Sequence, residues 1–516
     1  MQDHDPDRRN SMHDISDTET TWFDVIAVSE VRGMRPVRVE VAGTPMVLVS
    51  HEGEVRAFAA TCPHKGAPLD KGIVCEGRIV CPWHKAEFSV RDGRLLEPLA
   101  LDPLPRYPAR VRQGRVEVAP HVEPSPSSPR VAEDRSVIIV GAGAGGTATA
   151  VFLREAGFAG RITLIGQEDC APYDRTALSK NVLAGKAEGN APPPLRPENF
   201  YETHDVACRV GRVVALDPQT RTLGLADGES LSADHVVLAP GSTPRMLDVP
   251  GHDLKGVFTL RTSRDAQAIL SSGQARRDWR VVICGGSFIA MEGAAALRQH
   301  GADVTIVADP AIPFENVLGV EIGGRLRALH EANGVVYRGG RRVAKIVGGD
   351  HVSGVILDNG ESLAADTVVA GIGVRPATDF LPRSLLAGDG GVDVDGRMRV
   401  LPGIHVVGDA ARFVHEGRRM RIEHWRTAQV QGRVAARAIV GMEDEFAEIP
   451  WFWTQQFGKK LEYAGYQGEF DHVEIEGDLE HFDFTATLSN QGRPVGVVTG
   501  GRPDVTARMV ARPPTG

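Results

Sequence analysis

"SVIIVGAGAGGTATAVFLREAG", residues 136–157, decides how the chain is organised. A short apolar, β-branched run meets a glycine turn and then a helix-forming stretch. Gly141, Gly143 and Gly146 permit the tight turn and let the backbone approach a pyrophosphate, whose charge suits the N–H groups at a helix N-terminus. "RITLIG" (161–166) is the strand that follows. The same unit returns about 140 residues later as "RVVICGGSFIAMEGAAALRQHGADVTIV" (280–307). Two such units predict two α/β Rossmann-like nucleotide-binding domains rather than one.

On either side the texture differs. Residues 21–119 consist of short β-branched or alternating runs such as "PVRVEVAG" and "RVRQGRVEVA", broken by glycine turns, which predicts an all-β domain. "PHVEPSPSSPRVAEDR" then reads as a linker over 120–135, and the acidic opening, 1–20, as a disordered tail without the apolar run of a signal peptide. From 446 to 516 several antiparallel strands mark a separate C-terminal α+β domain. The intervening chain divides as 136–254 plus 376–445 for the first nucleotide domain and 255–375 for the second.

The all-β part carries "CPHKGAPLDKGIVCEGRIVCPWHKAEF" (62–88), with the boxes Cys62-x-His64 and Cys81-x-x-His84. A zinc site would use four ligands around one ion. A two-iron cluster with cysteine on one iron and histidine on the other needs one of each from two loops, and these boxes supply that. The flanks Gly66, Leu69, Pro82 and Phe88 resemble the two boxes of Rieske [2Fe-2S] domains. The resemblance implies Cys62 and Cys81 on one iron and His64 and His84 on the other, at about −150 mV or higher. Ala67 and Trp83 stand where high-potential members carry an extra cysteine pair, so the loops resemble the ferredoxin type. Lys85 replaces the family's usual glycine and is expected to put a charge near the exposed cluster edge. Cys75 is expected to be a buried thiol, not a ligand.

Composition narrows the remaining classes. A net charge of −9 argues against a general nucleic-acid or anionic-membrane binder. The longest uncharged stretch, 137–153, is too short and too glycine-rich for a membrane span. Six scattered cysteines (62, 75, 81, 170, 208, 284) suit a reducing, cytoplasmic setting rather than a disulfide framework.

"PYDRTALSK" (172–180), "LAPGSTPR" (238–245), "GIGVRP" (371–376), "VVGDAA" (406–411), "IEHWRTAQVQGRVAA" (422–436) and "FWTQQFG" (452–458) occur in order. With them the chain resembles the FAD-dependent pyridine-nucleotide oxidoreductases of the ferredoxin-reductase and apoptosis-inducing-factor type, in particular the subgroup with an N-terminal Rieske domain. The similarity implies that Arg175 and Lys180 contact the flavin nucleotide and Asp409 its ribityl chain. Glu423, His424, Trp425 and Trp453 are then expected about the isoalloxazine and nicotinamide. At the end of the first unit's second strand Gln167 takes the usual acid position with Glu168 adjacent, so the ribose contact is expected to be shared between them or shifted.

In the second unit Gly285 is followed by Ser287 where backbone approaches pyrophosphate most closely, which predicts weakened nicotinamide binding; Glu292, in the helix beyond, is expected among the coenzyme-binding residues. After "VTIV" come Ala308, at the usual place of the ribose acid, and Asp309; no arginine follows to partner a 2′-phosphate, which favours NADH over NADPH. The helix after the first glycine turn lacks a cysteine pair, and Cys170 comes too early for a single-thiol enzyme, which argues against thiol chemistry. The expected function is an NADH-dependent flavoprotein oxidoreductase passing electrons through FAD to the [2Fe-2S] cluster, with the linker letting the cluster tip visit the flavin. The acceptor is a further protein or an oxygenase component, and a homodimer is a possible assembly. The alternatives are the reductase arm of an oxygenase system and a slow redox-sensing interaction protein.

Overall fold

A computed structural model of the chain describes residues 20–124, 133–274, 276–466 and 468–511. The expected tail therefore lies almost wholly outside the described residues, as does 125–132 of the expected linker. Four layers of structure are visible: an all-β unit, two α/β units and a β-sheet with one helix.

The strand Ser136–Val140 is buried along Val137–Val140 because both faces of its sheet are covered, which is what a continuous apolar run requires. It sits inside a six-stranded sheet, parallel except for one edge strand. The neighbours are Arg161–Gly166 and Val206–Val210 on one side, and His235–Leu238, Ile404–Val406 and Arg399–Leu401 on the other. The helix Ala144–Glu155 packs along the helix Trp425–Ile439. Their approach is close: a Cβ on Gly432 would stand 2.5 Å from the carbonyl oxygen of Gly145. A Cβ on Gly146 would stand 1.8 Å from the Gly141 carbonyl oxygen, so the sequence motif is a steric requirement here.

The second α/β unit is a five-stranded parallel sheet in the order Val257–Thr259, Thr367–Ala370, Arg280–Cys284, Asp303–Ala308, Val336–Gly339. The C-terminal unit is a five-stranded antiparallel sheet, Trp451–Gln456 to Arg493–Gly500, closed by the helix Pro503–Ala511. Residues 23–118 form three antiparallel sheets.

The all-β unit is docked on the rest of the chain. One continuous apolar core runs from Phe58, Leu69 and Phe88 into Val137, Ile139 and Phe152 of the first α/β unit. Ile73 and Val80 pack on Ala507 and Ala511 of the last helix, and Leu99 packs with Trp451 and Val510. The expected free visit of the tip is therefore corrected: burial of these faces and the ion pairs described below hold it in place. Cys75, expected to be buried, is half-exposed at the edge of the Ile73–Val80 cluster.

His405, on the strand before the "VVGDAA" turn, is 2% exposed, and neither ring nitrogen has a hydrogen-bond partner among the described residues. Burial holds its pKa down at about 3. The unfolded chain, with a pKa near 6.5, binds the proton and the folded chain does not, so stability is lost as pH falls below that value. Between pH 7 and pH 5 this residue alone is expected to remove about 2 kcal/mol of stability. His405→Phe should flatten the pH dependence of denaturant melts by that amount; equal slopes in both proteins would refute the assignment.

Candidate active site and cluster loops

The two Cys/His boxes fold into loops of one design. In the first, Cys62 N–H donates to Ala67 O (2.9 Å) and Gly66 N–H to Cys62 O (2.9 Å). In the second, Cys81 N–H donates to Ala86 O (2.9 Å) and Lys85 N–H to Cys81 O (3.2 Å). The loops bring His64 and His84 face to edge, with ring centroids 4.8 Å apart. Cys62 and Cys81 are buried and hydrogen-bond each other, which pushes the Cys62 thiol up and pulls Cys81 down to about 7.

These residues fit a two-iron cluster. Nδ1 of His64 and Nδ1 of His84 are buried without a hydrogen-bond partner among the described residues. Burial keeps His64 neutral, at about 4, and lowers His84 further, so both rings can offer a lone pair. The Cys62–Cys81 hydrogen bond and the His64–His84 ring contact divide the four residues into two pairs, as two ligands on each of two irons require.

The first glycine turn is an open cradle. Gly141 has φ +107°, with its would-be Cβ 2.0 Å from Ala239 O, whereas a Cβ on Gly143 would meet nothing within 4 Å. That open space in front of the helix Ala144–Glu155 is where a pyrophosphate can lie. Gln167 is exposed, and the Glu168 carboxylate accepts from Tyr173 Oη (2.7 Å) and Arg175 Nη2 (2.9 Å). Asp409 accepts from Ser242 Oγ (2.7 Å) and Arg261 Nη2 (3.3 Å).

A cavity of about 1140 Å³ runs between the two α/β units and the C-terminal sheet. Arg175, Lys180, Gly285, Ser287, Glu292, Asp309, Glu423, His424, Trp425 and Trp453 all line it, so the structure gathers these expected residues around one space, while Gly141, Gly143, Gly146, Gln167, Glu168 and Asp409 are not among its lining. Its wall is aromatic: Trp453 stacks on Trp451 (5.2 Å) and His424 packs on Phe452 (4.7 Å). Burial holds His424 at about 4, neutral at physiological pH.

The structure gives three of the expected residues definite partners. Ser287 Oγ caps the helix Phe288–Gln299 by accepting from Ala290 N–H (3.2 Å) and donates to Gly371 O (2.9 Å). The Glu292 carboxylate, 3% exposed, is saturated by Ser179 Oγ (2.6 Å), Lys180 Nζ (2.8 Å) and Thr454 Oγ1 (2.8 Å). It ties three segments together beneath the cavity. Finally, arginines do stand beside Asp309, although they come from the loop at 341–342: Arg341 and Arg342 line the cavity, and Arg342 Nε donates to Asp309 Oδ1 (2.8 Å).

The cluster loops reach this cavity. The His84 ring packs on Trp453, centroids 4.7 Å apart. Lys65, next to His64, pairs with Asp174 of the "PYDRTALSK" segment. Arg426, 1% exposed, donates from Nη1 to Lys85 O (3.0 Å) and from Nη2 to Glu87 Oε1 (2.9 Å). Arg196 grips Asp102 with two bonds of 2.7 Å, and Arg433 donates to Glu97 (2.6 Å). Lys85 is not at an exposed edge, as expected from sequence, but fully buried and paired with Glu462 at 2.9 Å. Arg426 lay within a quoted motif without an assigned role; a charged residue one position past the site aromatics was its only sequence signal.

A docked Cys/His double loop, an open glycine cradle and a shared aromatic cavity are features of one group. The chain belongs to the pyridine nucleotide-disulphide oxidoreductase family, whose model matches residues 135–432, with a Rieske [2Fe-2S] domain at 21–108 and a reductase C-terminal domain at 451–512. It is an FAD-dependent NAD(P)H oxidoreductase that carries a Rieske module.

Among its relatives, human apoptosis-inducing factor 3 is 34% identical over 92% of this chain and 81% of that protein. The benzene 1,2-dioxygenase system ferredoxin–NAD(+) reductase subunit of Pseudomonas putida is 37% identical over 67% of this chain and 82% of its own. The covalent putidaredoxin reductase–putidaredoxin complex aligns with a TM-score of 0.69 at 31% identity, covering 73% of this chain and 93% of that one. Among the described residues no helix is long and apolar enough to cross a membrane.

Proposed function

We propose that the enzyme takes electrons from NADH into FAD, passes them to the cluster docked on the same chain, and delivers them to an acceptor protein. The contact of His84 with Trp453 carries this reading, because it joins the cluster loops to the wall of the nucleotide cavity. Bound FAD would accept a hydride and the cluster would accept one electron at a time.

The residues have distinct parts in this scheme. Gly141, Gly143 and Gly146 admit the FAD pyrophosphate, and Asp409 offers a carboxylate to the ribityl chain. Arg175 and Lys180 flank the flavin, with Lys180 oriented by Glu292. Neutral His424, Trp425 and Trp453 exclude water from the flavin face, and Glu423 stands at the rim. Gly285 lets the nicotinamide coenzyme's pyrophosphate approach the second turn, where Ser287 holds the helix end, and Asp309 accepts from a ribose hydroxyl. Cys62, His64, Cys81 and His84 hold the cluster.

A second reading, the reductase arm of an oxygenase system, is favoured by the name of the Pseudomonas putida relative. In both readings electrons leave through the cluster. Anaerobic titration with NADH tests the route: the flavin absorbance should bleach and the reduced-cluster electron paramagnetic resonance signal should grow to one spin per chain. A bleached flavin beside a cluster that stays oxidised would defeat the proposal.

A further inference from the structure

Lys85 sits where the sister loop has Gly66. Each accepts the same place in the turn, four residues after its cysteine, and donates its N–H to that cysteine's carbonyl. The backbone is left-handed at both, φ +71° at Gly66 and +59° at Lys85. This conformation favours glycine and is uncommon for a long side chain. Lys85 is also completely buried, which disfavours its charge unless it is paired and hydrogen-bonded. A strained backbone and a buried charge at one position call for a compensating role.

The partners indicate what that role is. Lys85 Nζ reaches out of the all-β unit to Glu462 of the C-terminal sheet (2.9 Å), lies over the Trp451 ring (5.6 Å) and donates to Pro82 O (3.0 Å) in its own loop. Glu462, 4% exposed, is shared with Lys460 Nζ (2.6 Å) and Thr506 Oγ1. Lys460 also donates to Trp83 O, and Arg426 to Lys85 O. The loop between Cys81 and Ala86 is thus held from two other units through both its side chain and its backbone.

We infer that Lys85 is a positioning residue, an interdomain lock that closes the cluster loop on the reductase and maintains the His84–Trp453 contact. This rests on the proposed route from flavin to cluster. The lock makes electron transfer within the chain a property of a fixed junction. A glycine in its place would build the same turn without fastening it.

The double variant Lys85→Gly, Glu462→Gln removes the buried pair together; Lys460, which shares Glu462, is partly exposed and keeps its bond to Trp83 O, and glycine suits the backbone angle. Iron, sulfide and FAD content should match the native protein. In stopped-flow mixing with NADH, flavin bleaching should keep its native rate while cluster reduction slows by about 100-fold, as a fixed junction becomes an encounter limited by the tether. Independently of turnover, carbodiimide cross-linking of Lys65 to Asp174, read by mass spectrometry, should fall by about tenfold as the tip leaves its seat. Native cross-linking and native cluster reduction in the variant would overturn the lock. A native protein whose cluster NADH never reduces would instead defeat the electron route, and the cross-link yield would still decide whether Lys85 holds the domains together.

Discussion

Exchange of His84 for alanine is expected to cut cytochrome c reduction about 100-fold, because an iron with two protein ligands loses one of them. Iron and sulfide should be lost from the purified variant. The flavin site is built from other segments, the Gly141 turn and the residues around Asp409, so FAD should remain bound. Ferricyanide can take electrons from reduced flavin directly, and its reduction should continue. The variant also removes the ring that packs on Trp453, so the two acceptors report separately on the flavin and on the junction. Cytochrome c reduction that survives without any cluster would mean that electrons leave from the flavin, and the Rieske unit would then be a sensor or docking module.

Asp309→Ala is expected to move coenzyme preference toward NADPH by about 10- to 100-fold, the range of one or two hydrogen bonds to a charged group. The reason is Arg342. In the native protein its guanidinium is engaged by Asp309, whose carboxylate it holds below the usual range, and the two lie at the exposed mouth of the cavity. Without the carboxylate, Arg342 and Arg341 are available to a 2′-phosphate, and the repulsion that disfavoured it is gone. Arg342→Ala should act in the opposite sense and strengthen discrimination for NADH. The ratio of kcat/KM for the two coenzymes measures both. An unchanged ratio in Asp309→Ala would show that the ribose is read elsewhere.

Much of the site was legible because its chemistry is local. The glycine turns, the Cys/His boxes and the aromatic segments each put their residues within a few positions of one another, where spacing and backbone geometry leave few arrangements. The class of every layer follows from periodicity for the same reason. The capping role of Ser287 was not legible, because its second partner, the Gly371 carbonyl, lies 84 positions along the chain. The pairs Lys85–Glu462, Arg426–Glu87 and Asp309–Arg342 were not legible. Each joins segments whose separation is set by rigid-body docking or loop return, and no periodic pattern encodes that. The half-exposed Cys75 follows from the same limit, since its surroundings are supplied by the last helix.

The continuous core shared by the first two units has a consequence for modularity. A tethered carrier can be cut away and shuffled between proteins because its surface is finished on all sides. This one is not finished: Ile73, Val80 and Leu99 pack on residues some 350 to 440 positions further along the chain, and Glu87 accepts from Arg426. The Rieske unit here is a grafted part with a fitted seat, so a change in either surface must be matched in the other, and the two are constrained to vary as one piece.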